Sequence, residues 1–243
     1  MTHGNPSHIL IIIAALNEEE GIGPTLSEIQ EYLDAPYCLV VDGNSTDNTV
    51  RVAEAMGARV IAQEDEGKGN AITMAIRQCE SVEFKYAVII DADFTYPAFY
   101  LPSMIAQLEA NPSLGMMCGD RFAVESDVGA MRRMFNLGNR LLASIHRVMN
   151  NVDLHDPLTG LRVVRWELLK DWKPRSKGFD IEIELNCHID KMGYKIVEMP
   201  IRYRARLGTK KLRMRHGFTI LRRIWAESFT YYPKWNLEGM GQH

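Results

Sequence analysis

Cysteine is scarce. Four residues in 243, Cys38, Cys79, Cys118 and Cys187, stand too far apart for a C-x-x-C metal or redox pair. They read as reduced thiols packed inside an intracellular protein. Long apolar runs are missing too. The longest, Ile9 to Leu16, has eight residues, whereas a membrane span needs roughly twenty. It leads into Asn17-Glu18-Glu19-Glu20, which is not the layout of a secretory signal. A surplus of one charge sign is absent as well: 28 Lys and Arg face 31 Asp and Glu, a net of −3. That balance excludes a disordered charged tail and a general nucleic-acid coat. Repeats and low-complexity stretches are not found.

One absence is local. From Met199 to Ala226 there is no Asp or Glu, but nine Lys or Arg, which leaves the remainder at −12. The chain is an acidic body with a basic end.

What is present is an alternation of strand and helix signals. Ile9–Ala15, Tyr37–Val41, Arg59–Ala62, Tyr86–Ile90 and Leu114–Cys118 read as strands. Helical spacing marks Thr25–Leu33, Thr49–Met56, Asn70–Glu80 and Pro102–Ala110. Such β-α-β alternation predicts an α/β fold, a mostly parallel central sheet with helices on both faces. Ligands of these sheets gather at the carboxyl ends of the strands. Those ends carry Asn17-Glu18, Asp42, Asp91 with Asp93, and Asp120-Arg121. Further on come a helix over Met131–Met149 with Arg133, Arg140 and Arg147 on one face, a helix over Ile181–Met192 and a strand near Lys195–Met199. Phe218, Leu221, Trp225 and Phe229, widened by Ile220 and Ile224, make a C-terminal amphipathic helix. That stripe suits either core packing or, with Arg222 and Arg223 beside it, a membrane surface. The expected division is 8–215 for the main domain and 216–243 for the amphipathic helix and tail.

Asp91-Ala92-Asp93 is the sharpest feature. Two carboxylates at the end of an apolar strand can share a hard divalent cation and leave positions for phosphate oxygens. A nicotinamide site fits poorly: Gly21-Ile22-Gly23 lacks the third glycine, and Glu18 to Glu20 would oppose a pyrophosphate. Gly67-Lys68-Gly69 has the wrong spacing for a P-loop, though Lys68 can reach a phosphate. The seven histidines are scattered and read as structural.

Together these segments resemble family-2 glycosyltransferases of GT-A fold, within them the dolichyl- and polyprenyl-phosphate sugar synthases, most closely the archaeal dolichyl-phosphate hexosyltransferase type. The motifs stand in order from Ile9 to Ile224: Ala14-Ala15-Leu16-Asn17-Glu18, Val41-Asp42-Gly43-Asn44-Ser45-Thr46-Asp47-Asn48-Thr49, Gly67-Lys68-Gly69-Asn70-Ala71, Asp91-Ala92-Asp93, Gly119-Asp120-Arg121, Gly138-Asn139-Arg140, Asp156-Pro157-Leu158-Thr159-Gly160, Gly178-Phe179, and Arg202-Tyr203-Arg204-Ala205-Arg206 before Lys211-Leu212. Leu16 and Ala14 replace the family's Tyr and Pro, and Gly43 its second Asp.

The resemblance implies roles. Ala14, Leu16, Asn17, Glu18, Asp42, Lys68 and Asp91 would line the nucleotide of a UDP-linked sugar. Asp91 and Asp93 would hold Mg²⁺ or Mn²⁺, with Thr95 where relatives carry a Gln ligand. Asp93, Arg121, Arg204 and Lys211 would be catalytic. The acceptor, dolichyl or polyprenyl phosphate, would meet Arg121, Arg132, Arg133, Arg202, Arg204 and Lys211, with Asp156 orienting that region. No general base stands out in the second half, and a phosphate monoester needs none. With a second pKa of about 6 it is already largely dianionic at neutral pH. The expected activity is inverting sugar transfer, for protein N-glycosylation or another surface glycan, by a cytoplasmic enzyme peripheral to the membrane and unrelated to nucleic acid. Two other readings are a small soluble acceptor such as phosphoglycerate, and a non-catalytic membrane-anchoring subunit.

Overall fold

The computed structural model describes residues 8–124, 130–209 and 215–231, with side chains except at 130–137, 215, 216, 230 and 231. Its framework is a seven-stranded sheet. In chain order the strands are β1 (Ile9–Ala15), β2 (Tyr37–Asp42), β3 (Arg59–Ala62), β4 (Tyr86–Ile89), β5 (Leu114–Asp120), β6 (Arg162–Arg165) and β7 (Lys195–Pro200). They lie side by side as β3-β2-β1-β4-β6-β5-β7. All neighbours run parallel except β6, which is antiparallel to both β4 and β5. The mostly parallel sheet expected from the alternation is therefore present. β6 is the strand that the sequence pattern does not announce: four residues with an Arg at each end carry no apolar run.

The helices are α1 (Glu19–Tyr32), α2 (Thr49–Ala55), α3 (Lys68–Cys79), α4 (Leu101–Ala110), α5 (Ala130–Asn150), α6 (Ile181–Lys191) and α7 (Arg215–Tyr231). Because successive strand side chains face opposite ways, β1 feeds two cores. Ile11 and Ile13 pack with Ile22, Leu26 and Ile29 of α1 and with Leu101, Met104 and Leu108 of α4. Leu10 and Ile12 pack with Ala71, Ile72, Ala75 and Ile76 of α3 and with Ile181, Leu185 and Ile189 of α6. A strand covered on both faces has to be apolar throughout, which explains the unbroken run of β1.

α7 attaches through a third, small cluster, in which Ile220 and Ile224 meet Ile183 of α6 and Leu142, Ile145 and Met149 of α5. Ion pairs join in: Arg223 reaches Asp180 (3.2 Å), and Lys191 reaches Glu227 (2.6 Å). The four residues of the expected stripe point away from this packing. Phe218 is 80%, Trp225 57%, Phe229 64% and Leu221 39% exposed. Core packing falls to Ile220 and Ile224 alone. Among the described residues no helix is long and apolar enough to cross a membrane.

Candidate active site

The carboxyl ends of β1, β2, β4 and β5 open on one edge of the sheet, and the turns there hold each other by side-chain hydrogen bonds. Ser45 Oγ accepts the Asn17 N–H (2.8 Å), and Thr49 Oγ1 that of Glu18 (2.7 Å). Asn17, itself at φ +50°, returns Oδ1 to the Thr46 N–H (2.7 Å). Asp47 Oδ1 accepts the Thr49 N–H (2.9 Å) in the turn just before α2. Asp42, at the end of β2, accepts the Ser45 N–H through Oδ2 (2.9 Å), while its buried Oδ1 has no partner. Glu18 starts α1 beside Asp42's turn, where a helix N-terminus favours a carboxylate. Ala14 is half-buried and Leu16 is 43% exposed at the rim.

The Asp91-Ala92-Asp93 segment follows β4. Gly21 of α1 permits it to sit so close: a Cβ there would lie 2.6 Å from the Ala92 carbonyl oxygen. Lys68, at the start of α3, lies between two carboxylates, Asp91 Oδ1 at 2.6 Å and Glu182 of α6 at 2.8 Å. Burial pushes the Asp91 carboxyl up, but the Lys68 ammonium, with Arg121 and Arg206, outweighs it and leaves Asp91 below its ordinary range. Asp93 goes the other way: burial first, then the charge of Asp91, raises it. Asp93 Oδ1 accepts the Thr95 hydroxyl (2.6 Å), so Thr95, fully buried, orients this carboxylate.

The donor set suits a hard divalent cation. Of the two Asp91 oxygens, only Oδ1 accepts a side-chain hydrogen bond among the described residues, and Oδ2 lies beside Gly160, where a Cβ would come within 2.7 Å of Asp91 Cγ. The missing side chain keeps that oxygen accessible. Among the described residues no group of three His, Cys, Asp or Glu converges as a metal cage. A cation here would rest on Asp91 and Asp93 and fill its remaining positions from a ligand or water.

The loop bearing Gly160 is fastened by a buried arginine. Arg162, only 1% exposed, donates to Thr159 O (3.0 Å), Pro157 O (2.7 Å) and Asn186 Oδ1 (2.6 Å). The Gly160 N–H donates to the Tyr96 hydroxyl (2.6 Å). Two crossed pairs follow. Arg121 meets Asp156 through Nε and Nη2, and the preceding residue of each, Asp120 and His155, pair at 2.8 Å. Glu198 of β7 accepts the N–H groups of both His155 (2.7 Å) and Asp156 (2.6 Å). The Arg121 guanidinium also lies 5.5 Å from the ring centre of Tyr203.

The arginines after β7 divide. Arg202 is exposed, its N–H donating to the Tyr100 hydroxyl (3.0 Å). Arg204 donates two hydrogen bonds to the Glu28 carboxylate of α1 (2.7 and 2.6 Å) and lies 4.4 Å over the Phe94 ring. Arg206, which the motif reading does not single out, touches Asp93 Oδ2 (2.9 Å) and Glu18. Glu182, Arg162 and His155, the partner of the strand-end Asp120, are likewise missed. The only signal was position, since each adjoins a motif in sequence. Lys211 lies outside the described residues, and so do the side chains of Arg132 and Arg133.

Comparison with known proteins gives three kinds of likeness. The model of the family described as "Glycosyl transferase family 2" matches residues 10–172. A dolichyl-phosphate hexose transferase of Haloferax volcanii is 33% identical over 214 residues, covering 87% of this chain and 90% of that protein. An undecaprenyl-phosphate mannosyltransferase of Micrococcus luteus is 27% identical over 217 residues, covering 84% of this chain and 87% of that protein. In structure, glucosyl-3-phosphoglycerate synthase from Mycobacterium tuberculosis, in complex with Mn²⁺, UDP-glucose and phosphoglyceric acid, superposes with a TM-score of 0.72 at 23% identity, covering 92% of this chain and 80% of that one. The shared fold is GT-A.

Proposed function

The chain belongs to glycosyl transferase family 2, and from that premise we propose that it transfers one hexose or N-acetylhexosamine from a UDP-linked donor to dolichyl or polyprenyl phosphate, inverting the anomeric carbon, for protein N-glycosylation or another surface glycan. The observation that carries this reading is that two of the basic acceptor candidates, Arg121 and Arg204, are each fixed by a carboxylate, which engages those carboxylates as anchors instead of leaving them as bases. Arg121 is held by Asp156 and Arg204 by Glu28. Such a site suits a nucleophile that brings its own charge, as a phosphate dianion does. The names of the Haloferax and Micrococcus relatives support a lipid phosphate acceptor.

Asp91 and Asp93 would hold Mg²⁺ or Mn²⁺, which neutralises charge on the leaving diphosphate when bound. Glu18 and Asp42 accept hydrogen bonds from the nucleoside, the unpaired Oδ1 of Asp42 being one free acceptor. Lys68 positions Asp91 and adds positive charge beside it. Arg121 aligns the acceptor phosphate, whose oxygen attacks the anomeric carbon as the donor's C–O bond breaks and UDP leaves with the electron pair. Asp156 fixes the Arg121 fork and takes no proton. The exposed face of α7, with Arg222 beside it, supports a peripheral position on an anionic cytoplasmic leaflet.

The test is a panel of labelled nucleotide sugars with dolichyl phosphate and Mg²⁺ or Mn²⁺. Label in the organic phase is the expected result, and none from any donor overturns the reading. The phosphoglyceric acid in the Mycobacterium complex motivates a second reading, a small soluble phosphorylated acceptor. Transfer to 3-phosphoglycerate in detergent-free buffer would favour it.

A further inference from the structure

Arg206 joins two carboxylates that the proposed function gives to different ends of the donor. Its Nη1 donates to Asp93 Oδ2 (2.9 Å) and its Nη2 to Glu18 Oε1. Glu18 belongs to the nucleoside end and Asp93 to the metal end, so one guanidinium spans both. The partners are nearly dry, with side-chain exposures of 7% for Glu18 and 6% for Asp93, against 23% for Arg206. The backbone holds Arg206 in place. The Arg204 N–H donates to Thr95 O (2.9 Å) and the Leu207 N–H to Asp93 O (3.2 Å), laying 204–207 alongside 93–95. Gly208 then turns at φ +76°, where a Cβ would sit 3.7 Å from Glu18 Oε2.

This arrangement sets up a competition. A cation bound to Asp93 needs carboxylate oxygens, and one of the two is committed to Arg206 while the other accepts from Thr95. A nucleoside diphosphate alters the balance, because its oxygens attract both a guanidinium and a metal. Arg206 also has a donor in reserve, its buried Nε–H, which has no partner.

We propose that Arg206 is a donor-positioning residue that makes metal and nucleotide binding interdependent: it occupies Asp93 and Glu18 until the diphosphate draws it away, so the cation enters with the nucleotide and weakly without it. The inference rests on the donor site described under the proposed function. Coupling of this kind is reciprocal, so UDP tightens metal binding by the same factor as metal tightens UDP binding.

The experiment titrates Mn²⁺ into the full chain, with and without UDP, by calorimetry or by loss of the free Mn²⁺ resonance signal. In the unaltered protein UDP should tighten Mn²⁺ binding by about tenfold or more, within the range of typical coupling energies. Arg206→Met, similar in reach but uncharged, should bind Mn²⁺ alone about tenfold more tightly, and UDP should then add little. Arg206→Lys keeps the charge and should retain weak binding of Mn²⁺ alone. Arg206→Gln, also uncharged, replaces the Met variant if that one melts early. Unchanged or weaker Mn²⁺ binding in the uncharged variants overturns the role of Arg206. Failure of the unaltered protein to bind UDP with Mn²⁺ instead removes the donor site, and the proposed function with it.

Discussion

Arg121 and Asp156, thirty-five residues apart, meet fork to fork, with Nε–Oδ2 at 2.6 Å and Nη2–Oδ1 at 2.7 Å. Asp156 is fully buried, so its charge is tolerated only because Arg121 answers it. The same contact aims Arg121 toward the strand-end site, close enough to Asp91 for its charge to hold that carboxyl down. Removing one partner leaves the other stranded. Asp156→Ala should cost about 3 kcal/mol by urea unfolding and raise the KM for the phosphate acceptor more than that for the donor. The double variant with Arg121→Met should recover part of the stability but none of the acceptor affinity. Additive stability losses, the double variant costing the sum of the two single ones, would show that the pair does not act as one unit.

Gly160 separates packing from chemistry. Its absent Cβ would sit 2.7 Å from Asp91 Cγ, so Gly160→Ala has to move a carboxylate already held by Lys68. The cost falls on a side chain rather than on backbone, and the fold should survive with a loss of about 1–3 kcal/mol. Transfer activity should drop at least tenfold, about 1.4 kcal/mol at the transition state, together with Mn²⁺–UDP affinity. Full activity in Gly160→Ala would mean that Asp91 Oδ2 needs no room at that position.

Much of this site was legible before the fold, for a physical reason. A parallel strand covered on both faces is an unbroken apolar run, and β1, β2, β4 and β5 therefore announce where they end. Asp42, Asp91 and Asp93 stand at those ends. Partners were harder to read. Arg204 and Arg206 are equally basic in sequence, yet one lies on Glu28 and the other on Asp93, because the path of an irregular segment decides which carboxylate each meets. Arg162 is hidden for a related reason: a fully buried arginine looks like a surface residue until the loop carbonyls around it are placed. β6 is too short to show a period, and its antiparallel direction depends on where the chain re-enters the sheet.

His146 gives a pH dependence that does not involve the reaction. It is fully buried on α5, where Asn150 Nδ2 approaches its Nδ1 at 2.9 Å while also donating to Ile224 O of α7 (3.1 Å). Burial, with the nearby charge of Arg162, pushes its pKa down from 6.5 to about 4. The folded state thus resists a proton that the unfolded chain accepts below pH 6.5. Stability is intact above that value and falls as pH drops from 6.5 to about 4. At pH 5 the loss should be about 2 kcal/mol relative to pH 7. His146→Leu should flatten that slope in urea unfolding, whatever its effect at pH 7. An unaltered slope in the variant would place the acid sensitivity elsewhere.

The outer face of α7 completes the acceptor argument. Phe218, Leu221, Trp225 and Phe229 lie on the side opposite Ile220 and Ile224, and Trp225 meets Phe229 edge to face at 4.7 Å. A cavity of about 380 Å³ beside them is bordered by Arg222 and Arg223 as well as Trp225 and Phe229. Aromatic rings with the exposed Arg222 beside them match the boundary between acyl chains and anionic headgroups, while Arg223 turns inward to Asp180 and Glu227. Under the proposed function the acceptor is a lipid-linked phosphate, which lies in that layer, so this face would bring the strand-end site to it. Trp225→Glu with Phe229→Glu should reduce sedimentation with phosphatidylserine-rich vesicles by at least tenfold, since two exposed aromatics are exchanged for charges that the surface repels. Transfer to a short-chain polyprenyl phosphate in solution should stay within about twofold, because neither residue contacts the strand-end groups and the loss of one interaction counts only where it is made. Vesicle binding that survives both substitutions would remove α7 from the membrane contact and leave the acceptor to arrive by another route.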